Sequence, residues 1–215
     1  MAEVPFAFSR PWSFRIPILT RQLKTEYVDA FFKDGSLRLS SFDTFRNHPD
    51  ELRRDPQEGR VAMEIHSPNS RTSVLTINGQ EAYVLCASTI EARLPDADLI
   101  SAFRIIDTLG FANAISRQIP GFLGGTEGLC SYRDNTRLIK KDPLIFSPPQ
   151  EGENVDQWFE EHDRRIGKHS IDAFFIKERR FSHEAEYRFI WFASGPNREF
   201  IDIKCPEAIK FCERI

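Results

Sequence analysis

Apolar and polar residues alternate most regularly near the end of the chain, in the stretch FFIKERRFSHEAEYRFIWF that spans residues 174–192. Read with a period of two, His183, Ala185, Tyr187, Phe189 and Trp191 share one face. Glu184, Glu186, Arg188, Ile190 and Phe192 share the other. Side chains alternate between the two faces of a strand, so the pattern predicts a strand over 184–192 with its apolar face on a core. The opposite face opens Glu-x-Glu-x-Arg. Neighbours of this kind lie roughly 7 Å apart along a strand, near enough to couple electrostatically and to share one small ligand.

The same reading, carried along the chain, predicts an extended aromatic and proline-rich arm over residues 1–13 and one domain over 14–215. A short strand is expected over 14–19. A helix follows from a Thr20 cap to Lys33 and ends at Asp34-Gly35, and a strand over 36–40 turns Leu37 and Leu39 inward. The polar segment SSFDTFRNHPDELRRDPQEG, 40–59, reads as a surface loop pinned by Phe42 and Phe45. A strand is expected over 60–66. Residues 72–77 and 80–87 then form a hairpin around Asn78-Gly79, because both turn residues accept positive φ. Its second strand ends in Ser88-Thr89. Residues 96–118 fit either a helix broken at Gly110 or a short strand over 103–106 followed by a helix. GFLGGTEG, 121–128, reads as a flexible loop whose glycines match neither the dinucleotide fingerprint nor a P-loop. Further strands are expected over 128–133, 170–176 and 200–204. A helix over 155–167, capped by Asn154 or Asp156, turns Val155, Trp158, Phe159, His162 and Ile166 inward. AIKFCERI closes the chain as a short helix or strand. Helices are inserted among the strands rather than alternating with them. That predicts an α+β fold, a single domain with a largely antiparallel mixed β-sheet.

Composition narrows the function classes. The 215 residues are 40% hydrophobic and 28% charged, which suits one globular domain with its own core. A net charge of −3 gives no overall pull toward nucleic acid or anionic lipid. Cys86, Cys130, Cys205 and Cys212 lack metal-ligand spacing, and the five histidines form no ligand set with them, so no metal site is expected. Scattered cysteines read as reduced thiols. With no apolar run near ~20 residues and no leader pattern at the start, a cytoplasmic protein without a membrane span is predicted.

Two stretches carry a family resemblance. FFKDGSLRLSSFDTFRNHPDE resembles the opening of the bacterial family called domain of unknown function 2971. FIKERRFSHEAEYRFIWF resembles its closing signature, and YVLCAST falls where that family has a buried strand ending in Cys and Ser. The likeness covers 14–192 in outline and departs at the first strand, where IPILTR supplies only Arg21. It implies a small bacterial α+β domain of the kind found near defence or mobile-element genes.

The Glu-x-Glu, the hydroxyl pair ending a middle strand and the early helix–Gly–strand unit also look like an ADP-ribosyltransferase. That similarity implies NAD as substrate and no tightly bound cofactor. Glu186 would hold the nicotinamide ribose and stabilise an oxocarbenium-like transition state, and Glu184 would orient the acceptor. Arg46, Arg188 or Arg38 would hold the pyrophosphate, with Asp43, Ser88 and Tyr132 as further substrate-binding candidates. Glu186, Ser88 and Arg46 would then face one concave pocket. The alternative is a non-catalytic binding or sensing module for nucleic acid or a phage component, built on Arg46, Arg53, Arg54, Arg179, Arg180 and Arg188. Its binding would be local and salt-sensitive. A purely structural arrangement would be a surface ladder in which Glu184, Glu186 and Arg188 pair with Arg38 and Lys204, each pair contributing at most ~1 kcal/mol.

Overall fold

A computed structural model describes residues 7–8, 18–49, 54–67, 70–77, 82–90, 100–135, 137–141, 149, 152, 154–194 and 198–215. In chain order its first half contains strand β1 (Ala7–Phe8), strand β2 (Leu19–Lys24), helix α1 (Thr25–Asp34), strand β3 (Ser36–Ser41), helix α2 (Phe42–Arg46) and strands β4 (Arg60–Ser67), β5 (Ser70–Ile77) and β6 (Ala82–Ser88). Then come strand β7 (Ile100–Ile105), helix α3 (Thr108–Ser116), strands β8 (Phe122–Leu129), β9 (Ser131–Arg133) and β10 (Arg137–Lys141), and helix α4 (Val155–Ser170). Strands β11 (Ile176–Glu178), β12 (Glu186–Ala193), β13 (Phe200–Lys204) and β14 (Cys212–Arg214) complete the chain. Short 3-10 turns over Ile171–Phe175, Arg179–Glu184 and Pro206–Phe211 lie between them. The architecture is α+β, with helices inserted between the strands of a largely antiparallel sheet.

The main sheet runs β1-β8-β12-β6-β2-β7-β14, and β3 joins it through β6 and carries β13 on its other side. Strand β12 is central, antiparallel to β8 and to β6. Both of its faces are covered. Tyr187, Phe189 and Trp191 enter the larger core with Phe31 of α1 and Phe111 of α3, and the Trp191 indole donates to the Ala112 carbonyl at 3.1 Å. On the opposite face Ile190 packs with Phe42, Val84, Phe174 and Phe175. A second sheet, β10-β4-β5, has its own apolar cluster of Val61, Met63, Ile65 and Leu138, to which Ala173 and Ile176 contribute.

Several expectations change. Strand β5 pairs antiparallel with β4, Ser67 opposite Ser70, and among the described residues β6 pairs with β12, β2 and β3 rather than with β5. Asn78-Gly79 itself lies outside the described residues, as does most of the 1–13 arm. GFLGGTEG is mostly strand β8, because pairing with β12 overrides the weak strand preference of glycine. The first helix starts at Thr25 rather than after Thr20, which belongs to β2. Of the two readings of 96–118, strand then helix holds. Gly110 is inside α3, where an added Cβ would meet the Phe211 ring at 2.4 Å. Helix α4 is capped by Asn154, whose side chain accepts from the Asp156 and Gln157 amides, but Val155 and Phe159 of its expected inner stripe are exposed. Residues 171–175 form a 3-10 turn rather than a strand.

Gly35 closes α1 with φ 76° and donates to the Phe31 carbonyl at 2.7 Å. A Cβ there would stand 2.2 Å from the Cys205 carbonyl carbon. Gly35→Ala therefore meets both a left-handed backbone and a backbone wall. We expect an unfolding free energy lower by about 2 kcal/mol or more in urea titration.

Glu127 on β8 is fully buried on the larger-core side, opposite Phe189, and Thr108 donates to it at 3.0 Å. Burial raises its carboxyl from 4.5 to about 7, against hydrogen bonds from Thr108 and Tyr187 that favour the charged form. The folded state thus binds more protons between those two values. Stability should be highest below the window and fall as pH rises through it, by up to roughly 3 kcal/mol. Glu127→Gln should flatten that fall, read as a parent-minus-variant difference in unfolding free energy that changes between pH 5 and pH 8.

Candidate functional site

The strand expected over 184–192 begins two residues late. Arg179–Glu184 is a 3-10 turn, Ala185 takes φ 43°, and β12 starts at Glu186. A non-glycine residue at positive φ is strained and persists only where its surroundings fix it. Here they do. The Ser88 hydroxyl donates to the Glu184 carbonyl at 2.8 Å, and Thr89 donates its amide and its hydroxyl to the Ala185 carbonyl at 3.0 and 3.2 Å. The Tyr132 hydroxyl accepts the Glu186 amide at 2.6 Å, and the Cys130 amide donates to the Glu186 carbonyl at 2.9 Å. The bend aims Glu184 and Glu186 at the same cation.

That cation is Lys177 on β11. Its ammonium lies 2.5 Å from Glu184 Oε2 and also bonds Glu186 Oε2. The other Glu186 oxygen accepts from Arg188 Nε at 2.5 Å. Arg188 Nη1 donates to the Phe174 carbonyl at 2.7 Å and lies 2.7 Å from Glu58 Oε1. Three carboxylates and two cations therefore interlock, and Glu58, Glu186 and Arg188 are buried. The cluster opens on a cavity of about 260 Å³. Phe42, Phe45 and Val84 give it apolar walls, and His48 and Cys86 lie on its border.

Burial drives the protonation pattern. Desolvation works to raise the Glu186 carboxyl, but Arg188 and Lys177 together outweigh it and hold the group well below the usual carboxylate range. Desolvation raises Glu58 against Arg188, and raises Glu184 against Lys177. Lys177 is itself pulled down by burial and pushed up further by Glu186 and Glu58, so it stays charged. The Cys86 thiol is pushed up by burial and hydrogen-bonds Glu186, so it is not a ready nucleophile. Glu186 is thus a fixed anion beside Glu184, a carboxyl that takes a proton more readily and is more open to solvent. Among the described residues no group of three His, Cys, Asp or Glu side chains is arranged to hold a metal, and no helix is long and apolar enough to cross a membrane.

Of the residues expected from sequence, the structure gathers Glu184, Glu186 and Arg188. Ser88 and Tyr132 stand behind them and hold the bend. Arg46 is buried on α2 and bonds Asp43 and the Glu58 carbonyl, so both residues brace the segment that carries Glu58 rather than line the cavity. Glu186, Ser88 and Arg46 do not share one concave wall. Arg38 is exposed and pairs with Asp202 at 2.7 Å across β3 and β13, and Lys204 pairs with Asp34. The surface ladder is therefore replaced by a buried network that excludes both. The cation surface also divides: Arg46 and Arg188 are buried, while Arg179 and Arg180 are exposed and paired with Asp134 and Glu178. Sequence reasoning assigned no role to Lys177 or Glu58. Lys177 was visible as the lysine after an apolar stretch; Glu58 sits in a polar segment with no periodic signal.

Comparison with known proteins finds no matching family model, no matching curated protein and no matching solved structure.

Removing one member of a buried ion network leaves an uncompensated charge. Lys177→Met should lower the unfolding free energy by about 3–5 kcal/mol, whereas Arg38→Met at the exposed pair should cost about 1 kcal/mol or less. Parallel denaturant titrations check the contrast.

Proposed function

We propose that the protein is an ADP-ribosyltransferase-like enzyme that uses NAD and acts in bacterial defence or toxicity. The observation that carries the reading is Glu186, a buried carboxylate held ionised and immobile at the edge of an aromatic-walled cavity, with a second carboxyl beside it. A preorganised anion stabilises positive charge that develops during reaction. A pyridinium ring favours an aromatic wall such as Phe42 or Phe45. The cavity, about 260 Å³, is below the span of pockets that enclose whole drug-sized ligands, roughly 300–1,000 Å³, and so suits the nicotinamide end of a dinucleotide. In the proposed step the bond between the ribose C1′ and the nicotinamide nitrogen breaks, and its electron pair leaves with neutral nicotinamide. Glu186 faces the resulting oxocarbenium charge. An acceptor hydroxyl attacks C1′ and passes its proton to Glu184.

One observation favours the non-catalytic alternative. Both Glu186 oxygens are already engaged, by Arg188 and by Lys177, which suits a charge network that holds the fold of a binding or sensing module for nucleic acid or a phage component rather than a carboxylate free to face a reacting ribose. The test incubates the folded protein with NAD and bacterial extract and follows nicotinamide release and labelled macromolecules. Glu186→Gln should reduce release by about 10²–10³-fold, measured at a temperature where circular dichroism shows the variant folded. Glu184→Gln should depress transfer more than NAD binding. Cells expressing each form are compared for toxicity and phage resistance. No release from wild type, with indistinguishable cells, would overturn the enzyme. A phenotype lost without NAD turnover would select the binding module.

A further inference from the structure

Strand β6 is a fork. At one end Ser88 pairs with Thr20 of β2; at the other Val84 and Tyr83 pair with Ser40 and Ser41 of β3. Between these ends the backbone edge of β6 meets neither strand, and Arg21 of β2 fills the gap by donating Nη1 to the Cys86 carbonyl. The notch beside it has a volume of about 530 Å³. Its floor is Arg21; Leu23, Tyr27, Ala30 and Ile203 give it an apolar side, and Ser40 adds a hydroxyl.

Arg21 is the odd cation here. Arg38 and Lys204, on the same rim, are each matched by a carboxylate, Asp202 and Asp34. No ion pair neutralises Arg21 among the described residues, and its Nε is fully covered with no hydrogen-bond partner. Burial lowers its pKa, the direction expected of a cation lacking an anion. A covered donor without an acceptor is costly, and Nη2, which is not spent on the Cys86 carbonyl, is the donor an anion in the notch would meet, guanidinium N–H groups matching carboxylate and phosphate oxygens.

We propose that this notch binds a small organic anion, a carboxylate or phosphate head on an apolar body, with the head on Arg21 and the body between Leu23, Ala30 and Ile203. The site is separate from the Glu186 cavity and its occupant is not NAD.

The experiment titrates the full chain with 3-phenylpropionate, phenyl phosphate and inorganic phosphate, and follows the Arg21 Nε–H resonance, assigned by its loss in Arg21→Lys. Saturable binding of at least one organic anion is expected, with a shift of that resonance. Inorganic phosphate, lacking the body, should bind about tenfold more weakly or worse. The stronger of the two organic probes identifies the head. Arg21→Gln should weaken binding about tenfold or more. Ala30→Phe keeps the charge and the Cys86 bond but fills the notch, so it should block binding even if Arg21→Gln does not fold. Absence of saturable binding by both organic anions would overturn the proposal, as would equal binding of inorganic phosphate or binding indifferent to Ala30→Phe. The titration contains no NAD, so its failure leaves the Glu186 reading standing, and the reverse also holds.

Discussion

Arg188 is a full positive charge with 1% of its surface exposed, in the middle of the central strand. Removing such an ion from water costs roughly several kcal/mol even after relaxation, so the fold has to return that with close partners. They come from three places. Glu186 is two residues away on the same strand, Glu58 arrives from the segment after α2, and the Phe174 carbonyl is presented by the turn before β11. Each partner has to be brought over the same face of β12. The segment carrying Glu58 is in turn held by Arg46. The polar segment 40–59 is therefore partly interior, with Asp55 and Glu58 buried, because a charge beneath it needs an anion.

The bend at Ala185 is the second half of that constraint. If the strand ran straight through Glu184, that side chain would lie one repeat along the face from Glu186, and Lys177 would have to reach both. The 3-10 turn and the positive φ fold Glu184 back, so one ammonium meets both carboxylates. The hydroxyls of Ser88, Thr89 and Tyr132 are spent on holding this geometry. Their value to the site is positional: they fix the backbone on which the charges sit.

The central strand was legible in the sequence because alternation survives over Tyr187, Phe189 and Trp191, whose burial is set by the side chains themselves. Glu184 was misplaced because a 3-10 turn and a strand read alike over two residues, and the strain at Ala185 is maintained by distant donors. Strand β8 was missed for the same reason. Its glycines give no local signal, and Gly128 finds its place only opposite Arg188. The partner of β5 was not legible either: Asn-Gly is a local cue that links 72–77 to 80–87, whereas the described residues pair 70–77 with 60–67 and place 82–88 in the main sheet, a choice set by contacts far from that turn. The charged face was located correctly and its burial was not. Exposure of Glu186 and Arg188 depends on what crosses over them: Lys177, which bonds Glu186, and Glu58, which pairs with Arg188, come from 9 and 130 residues earlier in the chain, respectively.

The two cavities have opposite electrostatic character and meet at Cys86. Its thiol bonds Glu186 on one side, and its carbonyl accepts from Arg21 on the other. The strand between them is not free to shift, because β6 pairs with β12 over the whole run from Ala82 to Ser88. An anion in the notch that pulled Arg21 off Cys86 would leave a carbonyl at the fork without its donor, a loss comparable to the bond gained. Binding that keeps Nη1 in place and uses Nη2 avoids that cost. The fork therefore restricts an occupant to approach from the α1 side of Arg21, where Tyr27 and Ala30 stand, and that approach leaves the Glu186 network unchanged.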